Sequence, residues 1–230
     1  MQALDIIISI LLIILSYILG SIPFGVLLGK LICKKDIRQY GSKNIGTTNA
    51  IRVLGKKVGF LVFFCDVLKG MLVIILVKIL AANGVWESSA EIDHFIYGAA
   101  AVIGHCFSIF LDFKGGKAVA TSLGVVLILT PIPAIACLII FGIIFFLTGY
   151  VSLASTGATI TVIVSTWLLY AFGVTDINNF LLYFIAKPTL VLAILYSILA
   201  CLIIIKHFKN YKRLINGTEN CFKKKKEIAS

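Results

Sequence analysis

Long apolar runs alternate with short polar breaks along almost the whole chain. Runs near 5–29, 58–81, 94–113, 117–131, 132–149, 153–173 and 187–206 are dominated by Leu, Ile, Val, Phe and Ala. A transmembrane helix needs about 20 predominantly apolar residues, so the pattern predicts an all-α integral membrane protein, a helical bundle of about seven spans. The fourth run is barely long enough to cross. The sequence Thr130-Pro131-Ile132-Pro133 after it reads either as a tight turn or as a kink. Five or six crossings would also fit, with 117–149 as a re-entrant or peripheral hairpin. Asp5 stands near the start and no Lys or Arg precedes Lys30, and the first run is longer than the core of a signal peptide, so a retained first span is expected. Residues 1–216 thus read as a single transmembrane domain and 217–230 as a basic tail.

Composition strengthens that picture. Of 230 residues, 60% are hydrophobic and 13% charged, with a mean hydropathy of +1.07. A soluble domain carries about 25% charged residues, so a soluble globular domain, a disordered chain, collagen and a disulfide scaffold are all excluded. The formal net charge of +11 could by itself suggest nucleic acid. The basic residues punctuate apolar runs instead of forming polar stripes, which points to membrane lipid or anionic substrates and to no nucleic acid. Eighteen of the 21 Lys and Arg fall in 30–57, 112–118 and the segment beyond 205. With seven spans these segments share one face, which the charge rule makes cytoplasmic, placing the N-terminus outside and the C-terminus inside the cell inner membrane. Glu87, Glu91, Asp93 and Asp176 fall on the opposite side. The six cysteines include no CxxC pair and read as small apolar side chains, and no metal or cofactor site is signalled.

Three polar clusters interrupt the apolar pattern. The first is GSKNIGTTNAIRVLG at 41–55, where Gly41 and Gly46 permit tight turns. Ser42, Asn44, Thr47, Thr48 and Asn49 supply hydrogen-bonding groups there, and Arg52 supplies a planar cationic fork. Thr48 or Asn49 could cap a short helix that presents Arg52 on the same side, a set suited to phosphate. A plain polar loop ending in a capped helix would look the same. The second cluster is GHCFSIFLDFKGGKAVAT at 104–121, in which a helix is expected to end at Phe113 and another to begin near Lys117. Lys114 and Lys117 flank Gly115 and Gly116, whose amides could turn toward an anion at the next helix start. Two lysines marking a membrane border are the plainer alternative. No Walker loop is present, so nucleotide hydrolysis is not indicated. His105 would lie about 12 Å inside the border, where an imidazole needs a polar partner, as a structural histidine or a substrate ligand. Asp66 and Lys69, at i and i+3, read as a pair that braces the site. The third cluster is KHFKNYKRLINGTE at 206–219, where His207, Asn210 and Arg213 share a helix face. That face could close over a polar substrate or simply bind anionic lipid, as Lys223 to Lys226 are expected to do.

These motifs, with GSIPFG at 20–25, occur in an order that resembles the bacterial acyl-phosphate:glycerol-3-phosphate acyltransferase family over nearly the whole chain. The resemblance implies a seven-span fold with a cytoplasmic active site. It also implies transfer of an acyl group from acyl phosphate to the sn-1 hydroxyl of glycerol 3-phosphate, giving lysophosphatidic acid and phosphate. On the family pattern Ser42, Thr47, Asn49 and Arg52 belong to the first site motif, Lys114, Gly115, Gly116 and Lys117 to the second, and His207 and Asn210 to the third. Catalytic work is expected of Ser42, Arg52, Lys114, Lys117, His207 and Asn210. Substrate contacts are expected of Asn44, Gly46, Thr47, Thr48, Asn49, His105, Gly115, Gly116, Thr121 and Arg213. Ser108 stands where the family often has proline, and Ala118 where it often has glycine. The acyl chain is expected between apolar spans. His207 or a substrate phosphate oxygen would serve as general base.

A transporter for a small phosphate-bearing solute is the rival from another class, although no repeated half with matching broken helices is found. The H-x4-D signature of other glycerolipid acyltransferases is absent, because the position five after each histidine is Ala99, Phe110 or Lys212.

Overall fold

The computed structural model describes residues 3–84, 91–172 and 189–222, and among these every regular element is helical. Glu87, Asp176 and Lys223 to Lys226 lie outside the described residues.

The first apolar run is two helices where one was expected, α1 (Ala3–Ser21) and α2 (Phe24–Cys33). Pro23 cannot donate to a helical ladder, and it disfavours the helical conformation at Ile22, so the helix breaks there. The carbonyl of Ile22 accepts a hydrogen bond from Lys69 Nζ at 2.8 Å. Lys69 also pairs with Asp66 at 2.8 Å, both side chains 2% exposed, and the Asp66 carboxylate lies 3.7 Å from His105 Nδ1. This buried cluster ties α4 (Lys56–Ala82) to the broken end of α1 and to α5 (Glu91–Cys106), as a bracing pair would.

Between α2 and α4 lies the short α3 (Thr47–Leu54), and α4 is 27 residues long. At 1.5 Å per residue α4 measures about 40 Å, more than the roughly 30 Å apolar core of a bilayer. The helix expected to run to Phe113 stops at Cys106. Beyond it Ser108 is extended, and Asp112 and Phe113 take left-handed conformations at φ 48° and 58°. The apolar run continues through Ile109, Phe110 and Phe113, which are exposed, so hydrophobicity outlasts the helix. His105 therefore sits in the last turn of α5, not two turns inside it.

α6 (Val119–Leu129) has 11 residues, about 16 Å, and cannot cross alone. Thr130 alone separates it from α7 (Pro131–Thr148), and its φ and ψ of −140° and 76° follow from the proline after it. The start of α6 and the end of α7 both meet the C-terminal segment, so α6 and α7 run out and back. α8 (Val151–Ala171), α9 (Leu190–Lys206) and α10 (Phe208–Ile215) follow, with a 50° bend between the last two. By length and composition five described helices can span a membrane, or six if the bent α9–α10 pair counts as one. The seven expected runs are thus represented, but α6 is a short apolar helix.

Candidate active site

The three sequence clusters meet at one end of the bundle. Lys117 Nζ donates a short hydrogen bond to Asn210 Oδ1, joining the second cluster to the third across 93 positions. Asn210 Nδ2 in turn donates to Glu219 Oε1 at 2.6 Å, and Arg213 Nε to Glu219 Oε2 at 2.7 Å. Arg52 Nη2 donates to the Asn220 carbonyl at 3.1 Å, and its guanidinium lies 4.6 Å from the centre of the Phe222 ring. Phe222 is held by its amide on the Gly149 carbonyl at 3.0 Å. The segment after α10 therefore folds back over the cluster, with Glu219 as its counter-charge. Glu219 was absent from the expected site residues, as was Ser152, which is buried beside it at the start of α8. The signal for Glu219 was available, since it is the one acid in the strongly basic stretch 206–226.

The crowding of cations shifts the electrostatics of the site. Burial pushes the Lys117 ammonium down to about 8, Arg213 and Arg52 push the same way, and Glu219 opposes them. Arg52 is likewise lowered, first by burial and then by Arg213. Burial alone would raise the Glu219 carboxyl, but hydrogen bonds from Asn210 and Arg213 outweigh it and hold it below its ordinary value. An anion placed among Arg52, Lys117 and Arg213 would relieve their mutual repulsion, as expected of a phosphate site.

His207 is the junction residue of the α9–α10 bend and is buried. Its Nδ1 lies 2.8 Å from the Ile203 carbonyl. A carbonyl can only accept, so Nδ1 carries the proton and a neutral ring keeps its lone pair on Nε2. The ring stacks on Tyr211, whose hydroxyl lies 2.7 Å from Thr156 Oγ1.

The other expected residues take quieter positions. Asn49 does not cap α3, whose N-cap is Gly46, and neither does Thr48. Its amide Nδ2 donates to the carbonyls of Ile37, Tyr40 and Asn44, while its Oδ1 accepts from the Ser42 amide at 2.9 Å. Asn44 Oδ1 accepts from the Gly46 amide at 3.1 Å. Asn44, Gly46 and Asn49 thus shape the loop that carries Ser42 and leads into α3, whose first residues are Thr47 and Thr48; all three are partly exposed.

Gly115 and Gly116 do not turn their amides toward an anion, as the sequence suggested. They donate to the carbonyls of Cys106 and His105 at 3.1 and 3.0 Å. A Cβ on Gly116 would lie 2.2 Å from His105 Nε2, and one on Gly115 2.0 Å from the His105 carbonyl oxygen. Glycine is required there because the loop packs directly on the end of α5, which positions Lys117. Lys114 is exposed on the same loop, and His105 lies behind it. Thr121 is buried where α6 crosses α4 so closely that a Cβ on Gly70 would be 2.2 Å from its carbonyl oxygen. Ala118 has φ 57°, which explains why glycine suits this position, and Ser108 Oγ donates to the Ser21 carbonyl at 2.5 Å. Among the described residues no group of three His, Cys, Asp or Glu could hold a metal ion.

A family model for glycerol-3-phosphate acyltransferase matches residues 10–217. The chain is 42% identical over 231 aligned positions to the glycerol-3-phosphate acyltransferase of Acholeplasma laidlawii, covering 98% of this chain and 97% of that one. It is 41% identical to glycerol-3-phosphate acyltransferase 2 of Bacillus anthracis, over 92% of this chain and 98% of that one. Among solved structures it resembles PlsY (YgiH), an integral membrane glycerol 3-phosphate acyltransferase, in its glycerol 3-phosphate form. The TM-score is 0.78 and the identity 36%, covering 94% of this chain and 96% of that one. The lysophosphatidic acid form of the same protein gives a TM-score of 0.76 at 36% identity, over 94% and 95% of the two chains. These matches decide against the transporter reading, and together with the convergence of three ordered motifs they lead to one conclusion: this chain, a multi-pass membrane protein, belongs to the glycerol-3-phosphate acyltransferase family.

Proposed function

We propose that the protein transfers a fatty acyl group from acyl phosphate to the sn-1 hydroxyl of glycerol 3-phosphate, releasing lysophosphatidic acid and inorganic phosphate. The observation that carries this reading is the meeting of Arg52, Lys117, Asn210, Arg213 and His207 at one end of an apolar bundle. Two anionic reactants need such a concentration of positive charge to approach each other. An acyl phosphate is a mixed anhydride with a good leaving group, so alignment and charge stabilisation suffice and no enzyme nucleophile is needed.

The hydroxyl oxygen bonds to the acyl carbonyl carbon, the bond from that carbon to the phosphate oxygen breaks, and phosphate leaves with the bonding pair. Arg52, Lys117 and Lys114 hold the two phosphate groups. Ser42 positions donor oxygens, with Thr47 and Thr48 beside it at the start of α3. His207 and Asn210 orient glycerol 3-phosphate, and Arg213 sets the charge around them. The hydroxyl proton passes to His207 Nε2 or to a substrate phosphate oxygen. If His207→Gln keeps most of kcat and mainly raises KM, the phosphate is the base.

A cavity of about 130 Å³ begins at Val119 and Ile203, beside the residues that follow Lys117 and precede His207. Its apolar walls suit the acyl chain. The site faces the cytoplasm, where the basic segments belong, in the cell inner membrane. Purified protein in lipid nanodiscs, given labelled glycerol 3-phosphate, tests the donor. Labelled lysophosphatidic acid is expected with acyl phosphate. A product formed with acyl-CoA or acyl carrier protein and not with acyl phosphate overturns the assignment.

A further inference from the structure

The apolar cavity has a built floor. Its lining residues farthest from Lys117 along each helix are Val126 on α6, Cys137 on α7, Val162 on α8 and Tyr196 on α9. The side chain of a helical residue points toward the helix N-terminus, so the Tyr196 ring is directed away from His207, deeper into the bundle. Three of these four residues are aliphatic or small. Tyr196 is different in being anchored twice: its hydroxyl lies 3.0 Å from Thr130 Oγ1, and its ring meets the Phe95 ring edge-on at 5.5 Å. Thr130 is itself fixed, being 1% exposed and held non-helical by Pro131 in the turn between α6 and α7. The phenol therefore spans the space between α9 and that turn. Beyond it lie Leu129, Ala134 and Leu192, all buried in one continuous core.

We infer that the Tyr196–Thr130 pair sets the depth of the acyl site and so determines which acyl chain lengths the enzyme accepts. This rests on the reading that the cavity holds the acyl chain. Tyr196 lies eleven residues before His207, about 16 Å along the helix axis. Carbon–carbon bonds of about 1.5 Å at tetrahedral angles advance about 1.25 Å each, so an extended chain of about a dozen carbons meets the ring. Longer chains must bend out of the cavity. A close-packed wall discriminates by about 10- to 200-fold per excess methylene when it cannot yield, and the double anchor prevents the ring from swinging aside.

The test is kcat/KM for saturated acyl phosphates in two-carbon steps from eight to eighteen carbons, with glycerol 3-phosphate fixed. Tyr196→Ala is expected to move the optimum toward longer chains by about two to four carbons, the reach of the lost ring. Ala158→Phe, which fills the cavity from α8 and leaves Tyr196 and Thr130 unaltered, is expected to move it toward shorter chains. Tyr196→Phe keeps the ring and removes the Thr130 hydrogen bond, and is expected to broaden the profile around an unchanged optimum. The KM for glycerol 3-phosphate stays within about threefold of wild type in all three, because the head-group residues are untouched. Ala158→Phe tests the inference even if Tyr196→Ala does not fold. Folded variants that keep the wild-type profile, or lose rate equally at all lengths, overturn it. Should the wild-type enzyme ignore acyl phosphate and use acyl-CoA, the donor assignment fails, and the same series of thioesters still tests the floor.

Discussion

Two asparagines show how differently one side chain is used in two regions of this molecule. Asn49, in the loop region, spends its amide entirely on backbone: three carbonyls and one N–H. Asn210, on α10, spends its amide on two charged side chains, Lys117 and Glu219. Both are buried. The first builds a scaffold whose loss is felt in folding. The second belongs to a set of charged partners, and on the proposed reading its loss would be felt in catalysis.

The sharpest way to break that comparison is Lys117→Met. Removal of one preorganised donor to developing charge costs about 100- to 1,000-fold, so kcat/KM is expected to fall by that factor. Burial already penalises the Lys117 charge, so the Tm in detergent is expected to hold or rise. A fall in Tm would place Lys117 with the scaffold. Next in size, Asn49→Ala strands four backbone groups, that of Ile37 buried and the others partly so, and is expected to destabilise the protein by about 2–3 kcal/mol, read as a lower Tm, with the activity of the folded fraction kept within about tenfold. Loss of activity at unchanged Tm would move Asn49 into the site.

A pH titration separates the two regions without mutation. Lys117 is charged below about 8 and loses its charge above it, so kcat/KM is expected to fall with an alkaline limb near pH 8, by about tenfold per unit. The stability contribution has the opposite sign. The folded protein binds fewer protons at this group than the unfolded chain between about 8 and the ordinary value of 10.5, so the cost of burying the charge is relieved as pH rises through that window. A limb that persists in Lys117→Met would assign it to another group. The smallest effect is expected from Ala118→Gly. Relief of the left-handed backbone is worth about 1–2 kcal/mol, and loss of a buried methyl returns about 0.8 kcal/mol. A net gain of about 0.2–1.2 kcal/mol is expected by denaturation in detergent.

The sequence made the three clusters legible because polar residues and glycines are conspicuous among Leu, Ile and Val, and because charge placed them on one face. It made the apolar spans legible by length. It did not disclose that the first run is broken, although Pro23 was in plain view, because apolar composition continues unchanged across the break. The same blindness extended the third helix to Phe113. The glycine pair was read as an anion cradle on residue type, whereas its amides answer the carbonyls of Cys106 and His105 at the end of α5, because the chain turns back on that helix end within the same cluster. Glu219 was overlooked because a lone acid in a basic tail looks like solvent chemistry until the chain folds back. Asn49 and Asn210 could not be told apart, since partner identity is a property of the fold and not of the residue.

The carbonyl of Cys106 receives both the Gly115 amide and the ammonium of Lys206, at 3.1 and 2.9 Å. One oxygen therefore serves as the common datum from which the Lys117 loop and the His207 bend are measured. On the proposed reading, a displacement of α5 would carry both halves of the catalytic end with it and leave the spacing between them unchanged.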